Sequence, residues 1–391
     1  MPVPAPGPVP VPVPVPVGTS RVTPANIMLL LTAGASAALL PCPPTRWDAL
    51  GTLELAVPRH EFLRTVEAPV DVADERSWLA DHSAQLMVEL SAYGALHFTG
   101  FTLPRSKAGF REFCTALPLT PCADPLASIG VRGLLSAADD VYEAVNAEEL
   151  SKTFIGLHND VTYKLAAPYA AFVCFKAAPR GGEFLVADGR AVLADVAPDV
   201  LAALRERCLS VRVQTVPAGG LRDLPVPAVV REALCTLMRL VVGTALRLWL
   251  PALDLALAWS VDGRTLQILE QPKPPVNRHP ADRTPTFFSS LHSQSAHLQA
   301  KRARAATVES SDDEATHTFS GVDAFYGDLE PIEPEYLDHL DEVISRHVRR
   351  LPMEAGDVVL LDSYQVLHGR DVFEGPREHG VVWLTGSDMY R

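Results

Sequence analysis

Short apolar runs separated by glycine turns fill the C-terminal part of this chain. In residues 354–362 a turn at Gly356 leads into Val358-Val-Leu-Leu361, and Val381-Val-Trp-Leu384 forms another short run. Apolar runs of this length, bounded by turn residues, are typical of buried β-strands. The pattern therefore predicts a mainly β protein with flanking helices, built on a β-sandwich or jelly-roll core.

The rest of the folded region combines predicted helices with further short strands. The helical spacing of apolar residues predicts helices over residues 77–90, 106–116, 195–207 and 333–350. Strands are predicted over residues 94–101 and 171–175, and a glycine turn after residue 180 leads into a further strand. Both kinds of element fit a jelly roll with flanking helices.

The first 47 residues differ in composition from the remainder. Residues 1–19 are a Pro-Val run, and we expect polyproline-II-like or disordered chain there because proline fixes φ and removes backbone donors. An apolar run over residues 27–40 is roughly 14 residues long, which is too short for a comfortable membrane span. We interpret residues 1–47 as a leader, either disordered or a targeting segment. Residues 48–391 are predicted to form one folded domain.

Two stretches inside this domain are predicted to be inserts, near residues 216–257 and 297–320. The apolar stretch 229–257 is interrupted by arginines and a glutamate, which would make a membrane span costly. We interpret this stretch as an insert that contains a buried amphipathic helix. Residues 301–318 join a basic tetrad to an acidic run without an apolar period, which predicts a flexible, solvated loop.

Charge and cysteine usage narrow the class of protein. The 391-residue chain has a formal net charge of −13, which argues against nucleic-acid binding because phosphate contacts need a basic face. The cysteines form no Cys-x-x-Cys pair, which argues against a zinc knuckle or a redox dithiol. Scattered thiols are typical of a reduced intracellular protein. We therefore expect a cytoplasmic location, with organelle targeting by the leader as the alternative.

A His-x-Asp motif, His158-Asn-Asp160, lies at the border of a predicted strand region. Alternate residues of an extended strand point to the same face, so the two side chains can converge on one ion. An imidazole and a carboxylate suit divalent metals. A second imidazole would complete the two-His-one-carboxylate facial triad, which leaves positions open for a cosubstrate and O₂.

A second His-x-Asp motif, His339-Leu-Asp341, lies within the predicted helix over residues 333–350. Helical residues two positions apart point about 200° away from each other. This pair is therefore not expected to chelate an ion, and we interpret it as part of a solvated helix face.

The third ligand is predicted to be His368. This residue follows the apolar strand and precedes Gly369, where a backbone and a ligand can approach closely. Further along the chain, Arg377 offers a guanidinium that can hold a carboxylate through two parallel hydrogen bonds. The ordered set of His158, Asp160, His368 and Arg377 predicts a metal site beside a dicarboxylate site.

The motifs resemble those of the TauD/TfdA group of Fe(II)/2-oxoglutarate-dependent dioxygenases, which includes the clavaminate-synthase-like proteins. The resemblance extends from about residue 80 to residue 387 and rests on the order of its segments, among them Gly94-Ala-Leu-His-Phe-Thr-Gly-Phe101, Leu157-His-Asn-Asp160, Gly181-Gly-Glu183, Tyr326-Gly-Asp328 and His368-Gly-Arg370.

The resemblance implies a double-stranded β-helix core with Fe(II) held by His158, Asp160 and His368, and with 2-oxoglutarate held by Arg377. It also implies that the protein hydroxylates or desaturates a small molecule with O₂, releasing succinate and CO₂. Halogenation is not expected, because a related halogenase would need the position of Asp160 vacated for chloride.

The chain departs from the family pattern at three positions. Phe184 stands where the family has a threonine that helps to hold 2-oxoglutarate, Thr99 replaces an arginine, and Ser363 replaces an asparagine. Two alternatives therefore stay open. One is a catalytically inactive jelly-roll binding protein, which Phe184 favours, and the other is a metal-dependent hydrolase with zinc at the same ligands.

The expected partners are a small-molecule substrate and O₂, with no nucleic acid and no membrane. Three residues near the first motif, Asn146, Phe154 and Tyr163, are interpreted as a capping asparagine and core aromatics rather than as substrate contacts. The sequence predicts neither the identity of the substrate nor the oligomeric state.

Overall fold

A computed structural model describes residues 61–122, 134–136, 141–143, 146, 150–160, 167–250, 253–309 and 322–386. The predicted leader over residues 1–47 lies outside these residues. The helices are α1 (Glu75–Tyr93), α2 (Lys107–Ala116), α3 (Gly189–Asp195), α4 (Pro198–Arg207), α5 (Gly219–Arg222), α6 (Ala228–Trp249), α7 (Leu291–Gln294), α8 (Ala296–Glu309) and α9 (Pro334–His347).

The strands are short and are spread along the whole described chain. They are β1 (Leu63–Glu67), β2 (Ala95–Thr99), β3 (Leu119–Cys122), β4 (Leu134–Ser136), β5 (Val141–Glu143), β6 (Ile155–His158), β7 (Tyr169–Lys176), β8 (Arg180–Gly181), β9 (Phe184–Asp188), β10 (Leu209–Pro217), β11 (Leu255–Trp259), β12 (Thr265–Glu270), β13 (Val276–Arg278), β14 (Pro285–Phe287), β15 (Asp323–Tyr326), β16 (Arg349–Leu351), β17 (Val358–Asp362), β18 (Val366–Arg370), β19 (Phe373–Glu374) and β20 (Glu378–Gly386).

Two facing sheets form the centre of the domain. The larger sheet has the order β1-β2-β17-β7-β20-β5-β4, with β3 paired to β20, and the smaller sheet has the order β16-β9-β18-β6. Within these sheets, β5-β20-β7-β17 faces β6-β18-β9-β16, and the chain passes repeatedly from one sheet to the other. This connectivity is that of a jelly roll and confirms the predicted fold class of a mainly β protein with flanking helices.

Alternation along each strand separates an inner layer from two outer layers. In β7, Phe172 and Cys174 pack between the two sheets, whereas Ala171 and Val173 pack against α1 and α2 on the outside. In β18, Val366 belongs to the inner layer and Leu367 to the layer under α4 and α9. Because side chains of a strand alternate, the next residue, His368, returns to the inner face.

A further sheet with the order β11-β12-β10-β15 flanks the first region predicted as an insert, and residues 216–217 and 255–257 of that region belong to β10 and β11. It joins the rest through β10 and β15, whose residues Val211 and Ala324 pack in the outer layer over the smaller sheet. The insert boundaries near 216–257 and 297–320 stay a prediction, because they are defined relative to other family members.

The predicted helices over residues 77–90 and 106–116 are confirmed by α1 and α2, and the one predicted over 333–350 is confirmed by α9 except at its end, because Arg349 and Arg350 belong to β16. The helix predicted over 195–207 is confirmed by α4, but its start is misplaced, because α4 begins at Pro198, and Asp195 is the last residue of α3, with a break between the two helices. Val196 and Ala197 have extended backbone at this break, and α4 begins at Pro198. A proline disfavours helical geometry in the residue before it and fits the first turn of a new helix.

The prediction of a buried helix within residues 229–257 is wrong in its burial. The helix forms as α6, but Cys235 is its only buried residue, and Leu240 and Leu248 are 64% and 71% exposed. It packs against α5 and β11 along one narrow face, so the other apolar side chains point to solvent. Across the described chain, no helix is long and apolar enough to cross a membrane.

The flexible loop predicted over residues 301–318 is wrong for its first half. Residues 301–309 belong to α8, and the remainder lies outside the described residues. Two members of the basic tetrad are fixed by acidic residues of α9, because Lys301 contacts Asp338 and Asp341 while Arg302 contacts Asp341. These ion pairs between helices hold a segment that its composition alone marked as solvated.

Candidate metal centre

The two predicted histidine ligands lie side by side on paired strands of the smaller sheet. His368 of β18 is the register partner of His158 of β6, and the centroids of their rings are 4.5 Å apart. His368 is buried and His158 is half-buried. Antiparallel pairing brings directly opposite side chains together on one face of a sheet, so the jelly roll itself places both imidazoles in the same part of the inner layer.

A backbone carbonyl fixes the protonation of the first histidine. Nδ1 of His158 lies 2.8 Å from the carbonyl oxygen of Gly156, which can only accept a hydrogen bond. Nδ1 therefore carries the proton, and Nε2 carries the lone pair. A ring nitrogen with a lone pair is what a divalent metal requires of histidine, and such a carbonyl contact is a common partner of metal-bound imidazoles.

Asp160 follows β6 by two residues and is half-buried. As the side chains stand, no three His, Cys, Asp or Glu residues among those described are arranged closely enough to hold a metal ion. The structure thus brings His158 and His368 together without placing Asp160 in a closed cluster with them. The ligand set of His158, Asp160 and His368 stays a prediction.

Asn159, between the two motif residues, fastens the end of β6 to its surroundings. Its side-chain nitrogen donates to the carbonyls of Ser363 and Val366 at 3.1 and 3.2 Å, and its Oδ1 accepts from the backbone nitrogen of Ser289 at 3.1 Å. Asn159 is 1% exposed. These bonds tie the His-x-Asp motif to the turn between β17 and β18, which leads into His368.

The outer edge of β6 is covered by α7. The backbone nitrogen of Leu157 donates to Nδ1 of His292 at 2.9 Å, and Nε2 of His292 lies 3.1 Å from Asp341. Burial lowers the pKa of His292 to about 4, although the hydrogen bond to Asp341 opposes this shift. The imidazole is therefore neutral near pH 7, as a group that accepts a backbone hydrogen bond must be.

The second His-x-Asp motif is not a chelating pair. His339 accepts a hydrogen bond from the backbone nitrogen of Ala197, whereas Asp341 contacts His292, Lys301 and Arg302. The prediction that the motif does not chelate agrees with these separate contacts, but the expected solvated face is wrong. Both residues are half-buried, and Asp341 holds together α7, α8 and α9.

Arg377, the predicted cosubstrate residue, lies buried at the start of β20. It donates to Oδ1 of Asn146 at 3.1 Å, and it lies near the ring of Phe373. Asn146 also bonds the backbone of His379 in both directions, so its role is to fix this strand and not to cap a helix. Burial, together with the charge of Arg370, lowers the pKa of Arg377 to about 9.

Arg370 is a second buried guanidinium in this region. It donates to the carbonyls of Leu150 and Thr153 at 2.8 and 3.0 Å, and burial lowers its pKa to about 10. Two positive charges taken out of water beside each other make this part of the inner layer favourable for an anion.

Aromatic side chains surround His368. The ring centroid of Phe172 is 5.0 Å from that of His368, and the ring of Phe184 is stacked on it at 6.3 Å. Phe184 is also the register neighbour of Arg370 in the adjacent strand. Phe184, which stands where the family pattern has a threonine, therefore lies beside both His368 and Arg370, where it supplies apolar surface and no side-chain hydrogen bond.

Sequence reasoning found the paired histidines and missed the residues that support them. Asn159 has a local signal, since it is a polar residue between two predicted ligands. His292 has none, because only the folded chain brings it beside Leu157. The contacts of Asn146 and Arg370 likewise depend on pairing between strands that are distant in the sequence.

The facing sheets and the paired histidines together define a jelly-roll protein with a candidate metal centre. A family model, "Taurine catabolism dioxygenase TauD, TfdA family", matches residues 58–384. The chain therefore belongs to the TauD/TfdA family of dioxygenases, as its motifs predicted. Membership confirms the predicted class of enzyme, an oxidoreductase dependent on Fe(II) and 2-oxoglutarate.

Individual proteins show more distant similarity. The chain is 25% identical over 324 residues to the dapdiamide synthesis protein DdaC of Enterobacter agglomerans, covering 74% of this chain and 92% of that protein. Among solved structures, PvcB of Pseudomonas aeruginosa has a TM-score of 0.47 at 14% identity, over 90% of this chain and 94% of that one. An asparagine oxygenase has a TM-score of 0.45 at 13% identity, over 82% and 92%.

The donor groups present fit an iron ion. Two imidazoles on one sheet face and a carboxylate two residues beyond the first of them are the donor set of a facial triad. The tautomer that Gly156 imposes on His158 leaves Nε2, the nitrogen that would coordinate a metal, deprotonated. The nearby buried arginines fit a dianionic cosubstrate.

Proposed function

We propose that this chain hydroxylates or desaturates a small-molecule substrate, with Fe(II) held by His158, Asp160 and His368 and with 2-oxoglutarate held by Arg377. The register pairing of His158 with His368, whose ring centroids are 4.5 Å apart on the inner face of the jelly roll, carries this proposal. When bound, Fe(II) and 2-oxoglutarate supply the oxidising chemistry, with O₂ consumed and succinate and CO₂ released.

The protein's own groups would position the reactants. The carbonyl of Gly156 holds the His158 ring in one tautomer, and Asn159 fixes the backbone between the two motif ligands. Phe172 and Phe184 keep water away from the inner side of His368. A dry pocket strengthens electrostatic contacts inside it and protects a reactive centre from solvent.

Arg377 would provide the charge for the distal carboxylate of 2-oxoglutarate. Its lowered pKa shows that the surroundings disfavour an isolated cation, and a carboxylate beside it would offset that cost. A planar guanidinium can hold a carboxylate through two parallel hydrogen bonds, which also fixes the direction of the bound molecule.

The substrate is proposed to be a small, polar metabolite, and amino acids and peptide-derived intermediates are the first group to screen. The relative DdaC is a dapdiamide synthesis protein by name, which supports this order of screening. Betaine-like carboxylates and sulfonates form the second group.

A catalytically inactive binding protein is the second candidate, and Phe184 is the observation that favours it. The ring lies stacked near His368 and beside Arg370 in register, in the region through which a cosubstrate would extend from metal to arginine. An aromatic ring there supplies neither the hydroxyl of threonine nor its smaller volume.

The test is an anaerobic titration of the full chain with Fe(II) and then 2-oxoglutarate, followed by visible absorption. We expect a charge-transfer band in the wild type that is absent in His158→Ala, because the band requires both molecules at one centre. His339→Ala is the matched control, since it alters the other His-x-Asp motif and should keep the band. Succinate release is then measured across the substrate screen.

Each outcome separates the candidates. Iron binding without the band would show that the cosubstrate does not reach the metal, and would favour the binding protein. A Phe184→Thr variant that gains the band would identify the aromatic ring as the cause. Binding of zinc with hydrolysis of an ester or amide, and without consumption of 2-oxoglutarate, would contradict the proposal in favour of a hydrolase.

A further inference from the structure

The strand that carries His158 is an edge strand, and its outer side is closed by a separate segment. Among the described strands of the smaller sheet, β6 pairs only with β18. On its other side the backbone nitrogen of Leu157 donates to His292 at 2.9 Å, and that of Asn159 donates to the carbonyl of Ser289 at 3.1 Å. Buried backbone donors need such partners, so the α7 segment completes the pairing of the ligand strand.

The contact to His292 acts on the peptide group that orients His158. The peptide between Gly156 and Leu157 contributes two groups: its carbonyl accepts from Nδ1 of His158 at 2.8 Å, and its N–H donates to Nδ1 of His292. One planar unit therefore joins the two imidazoles. A shift of this peptide would move the group that fixes both the tautomer and the tilt of the His158 ring.

The far side of His292 is held by charged residues of α8 and α9. Since Nδ1 accepts from Leu157, the proton of this neutral ring lies on Nε2, which is 3.1 Å from Oδ1 of Asp341. Arg302 donates to the same oxygen at 2.9 Å and to the carbonyl of His292 at 3.0 Å. The imidazole is thus fixed at both nitrogens.

The peptide between Gly156 and Leu157 lies in a tightly packed region. A Cβ added to Gly156 would lie 2.5 Å from the carbonyl oxygen of His292, and one added to Gly369 would lie 2.5 Å from the carbonyl oxygen of Ile155. Real Cβ atoms do not approach a backbone oxygen so closely. The backbone of β6 therefore contacts α7 on one side and β18 on the other. A displacement of His292 would move β6 as well.

We propose that His292 is a positioning residue for the metal ligand His158, acting through the peptide between Gly156 and Leu157 and held in place by Asp341 and Arg302. This inference rests on the proposed function, since it assumes that His158 binds the metal. It assigns a role to α8 and α9, which lie outside the jelly roll: they set the orientation of the first ligand.

The test compares two substitutions of His292 in the full chain. Asparagine places its side-chain oxygen where the histidine has Nδ1, so His292→Asn keeps an acceptor for Leu157, whereas His292→Leu removes it. We expect His292→Leu to weaken Co(II) affinity by about 10- to 100-fold, as is typical when a supporting partner of a metal ligand is lost. His292→Asn should stay within a few-fold of the wild type.

The matched control is His297→Leu. It removes another imidazole–carboxylate pair, which His297 of α8 forms with Asp338 at 3.2 Å. It should leave Co(II) affinity unchanged. Thermal unfolding is measured for every variant, and the ligand-field spectrum of bound Co(II) reports the geometry directly. If His292→Leu does not fold, Asp341→Asn replaces it, with a changed Co(II) spectrum as the expected result.

The outcomes separate a failure of the role proposed for His292 from a failure of the proposed function. A wild type that binds no metal, or a His158→Ala variant that binds as the wild type does, overturns the proposed function and the inference with it. Normal metal binding in which His292→Leu keeps full affinity, or in which His292→Asn loses as much as His292→Leu, overturns the inference alone.

Discussion

At the scale of single residues, the centre depends on side chains whose neighbours matter as much as their type. His158 and His339 are both followed by a residue and then an aspartate. His158 ends a strand and meets His368 across the sheet, whereas His339 lies in α9 and accepts from the backbone of Ala197. The backbone geometry around each histidine therefore distinguishes a candidate ligand from a structural histidine, and the spacing of apolar residues in the sequence indicates that geometry.

The role of Arg377 predicts a specific loss of cosubstrate affinity. Arg377→Gln should weaken 2-oxoglutarate binding by about 10- to 100-fold, since a hydrogen bond to a charged group contributes roughly 1.5–3 kcal/mol. Iron binding should be unchanged. Arg180→Gln is the control, because Arg180 is exposed and forms an ion pair with the exposed Glu374. Titration of the iron-loaded protein with 2-oxoglutarate measures both, and equal affinities for the two variants would contradict the assignment.

The buried pair of His279 and Asp362 predicts a pH-dependent stability. Nε2 of His279 is 2.8 Å from Asp362; burial opposes its charge, but Asp362 and Asp282 outweigh burial and raise the pKa to about 9. Because the pKa of His279 is higher in the folded state than its value of about 6.5 in the unfolded state, the charged histidine stabilises the folded state. This contribution is complete below about pH 6.5 and is lost as the pH rises through 9.

Urea unfolding between pH 6 and pH 10 checks this prediction. The free energy of unfolding of the wild type should fall by on the order of 3 kcal/mol more than that of His279→Gln over this interval. His297→Gln, a substitution of a half-buried histidine in α8, should keep the wild-type slope. Parallel curves for the wild type and His279→Gln would refute the charged pair.

At the scale of elements, the sequence predicted which helices and strands form better than it predicted what surrounds each of them. The helical spacing of apolar residues correctly predicted the helix α6. That spacing does not predict which elements will cover the helix, and the outer face of α6 is exposed. The charge of residues 301–309 predicted a loop, although they belong to α8, where Lys301 forms an ion pair with Asp338 of α9. The break before Pro198 had a readable signal, whereas the pairing of β6 with β18 had none, since it joins strands distant in the sequence.

The contrast between α6 and α9 can be measured by truncation. Leu340→Ala in α9 should lower the free energy of unfolding by about 2–5 kcal/mol, because Leu340 is 1% exposed within the core under the smaller sheet. Leu240→Ala in α6 should change it by less than about 0.5 kcal/mol, because that side chain is 64% exposed. Urea denaturation with equal m-values checks both, and a large loss at Leu240 would mean that its face is covered in solution.

At the scale of the whole molecule, the candidate centre connects distant parts of the chain. His158 lies in the second strand of the jelly roll and His368 in the seventh, so a bound metal would hold the smaller sheet together across most of the described sequence. The family and the fold class were predictable because both rest on ordered local motifs. The support from α7, α8 and α9 was not, because it appears only after folding.

Metal binding should therefore stabilise the entire domain. A metal ion present at about 100 times its dissociation constant raises the free energy of unfolding by about 2.7 kcal/mol, provided that it binds only the folded state. Co(II) should raise the melting temperature of the wild type and leave that of His368→Ala unchanged, and a chelator should reverse the effect. An equal rise in both proteins would show that the metal binds elsewhere.

The position of β20 has a consequence for how the protein is made. β20 is the last described strand, yet it lies inside the larger sheet, between β7 and β5. During synthesis the ribosome must deliver nearly all of the jelly roll before this strand is available, and until then β7 presents an unpaired apolar edge. An unpaired apolar edge promotes aggregation, so we expect that a stop codon before Glu378 would yield an aggregating product rather than a smaller enzyme.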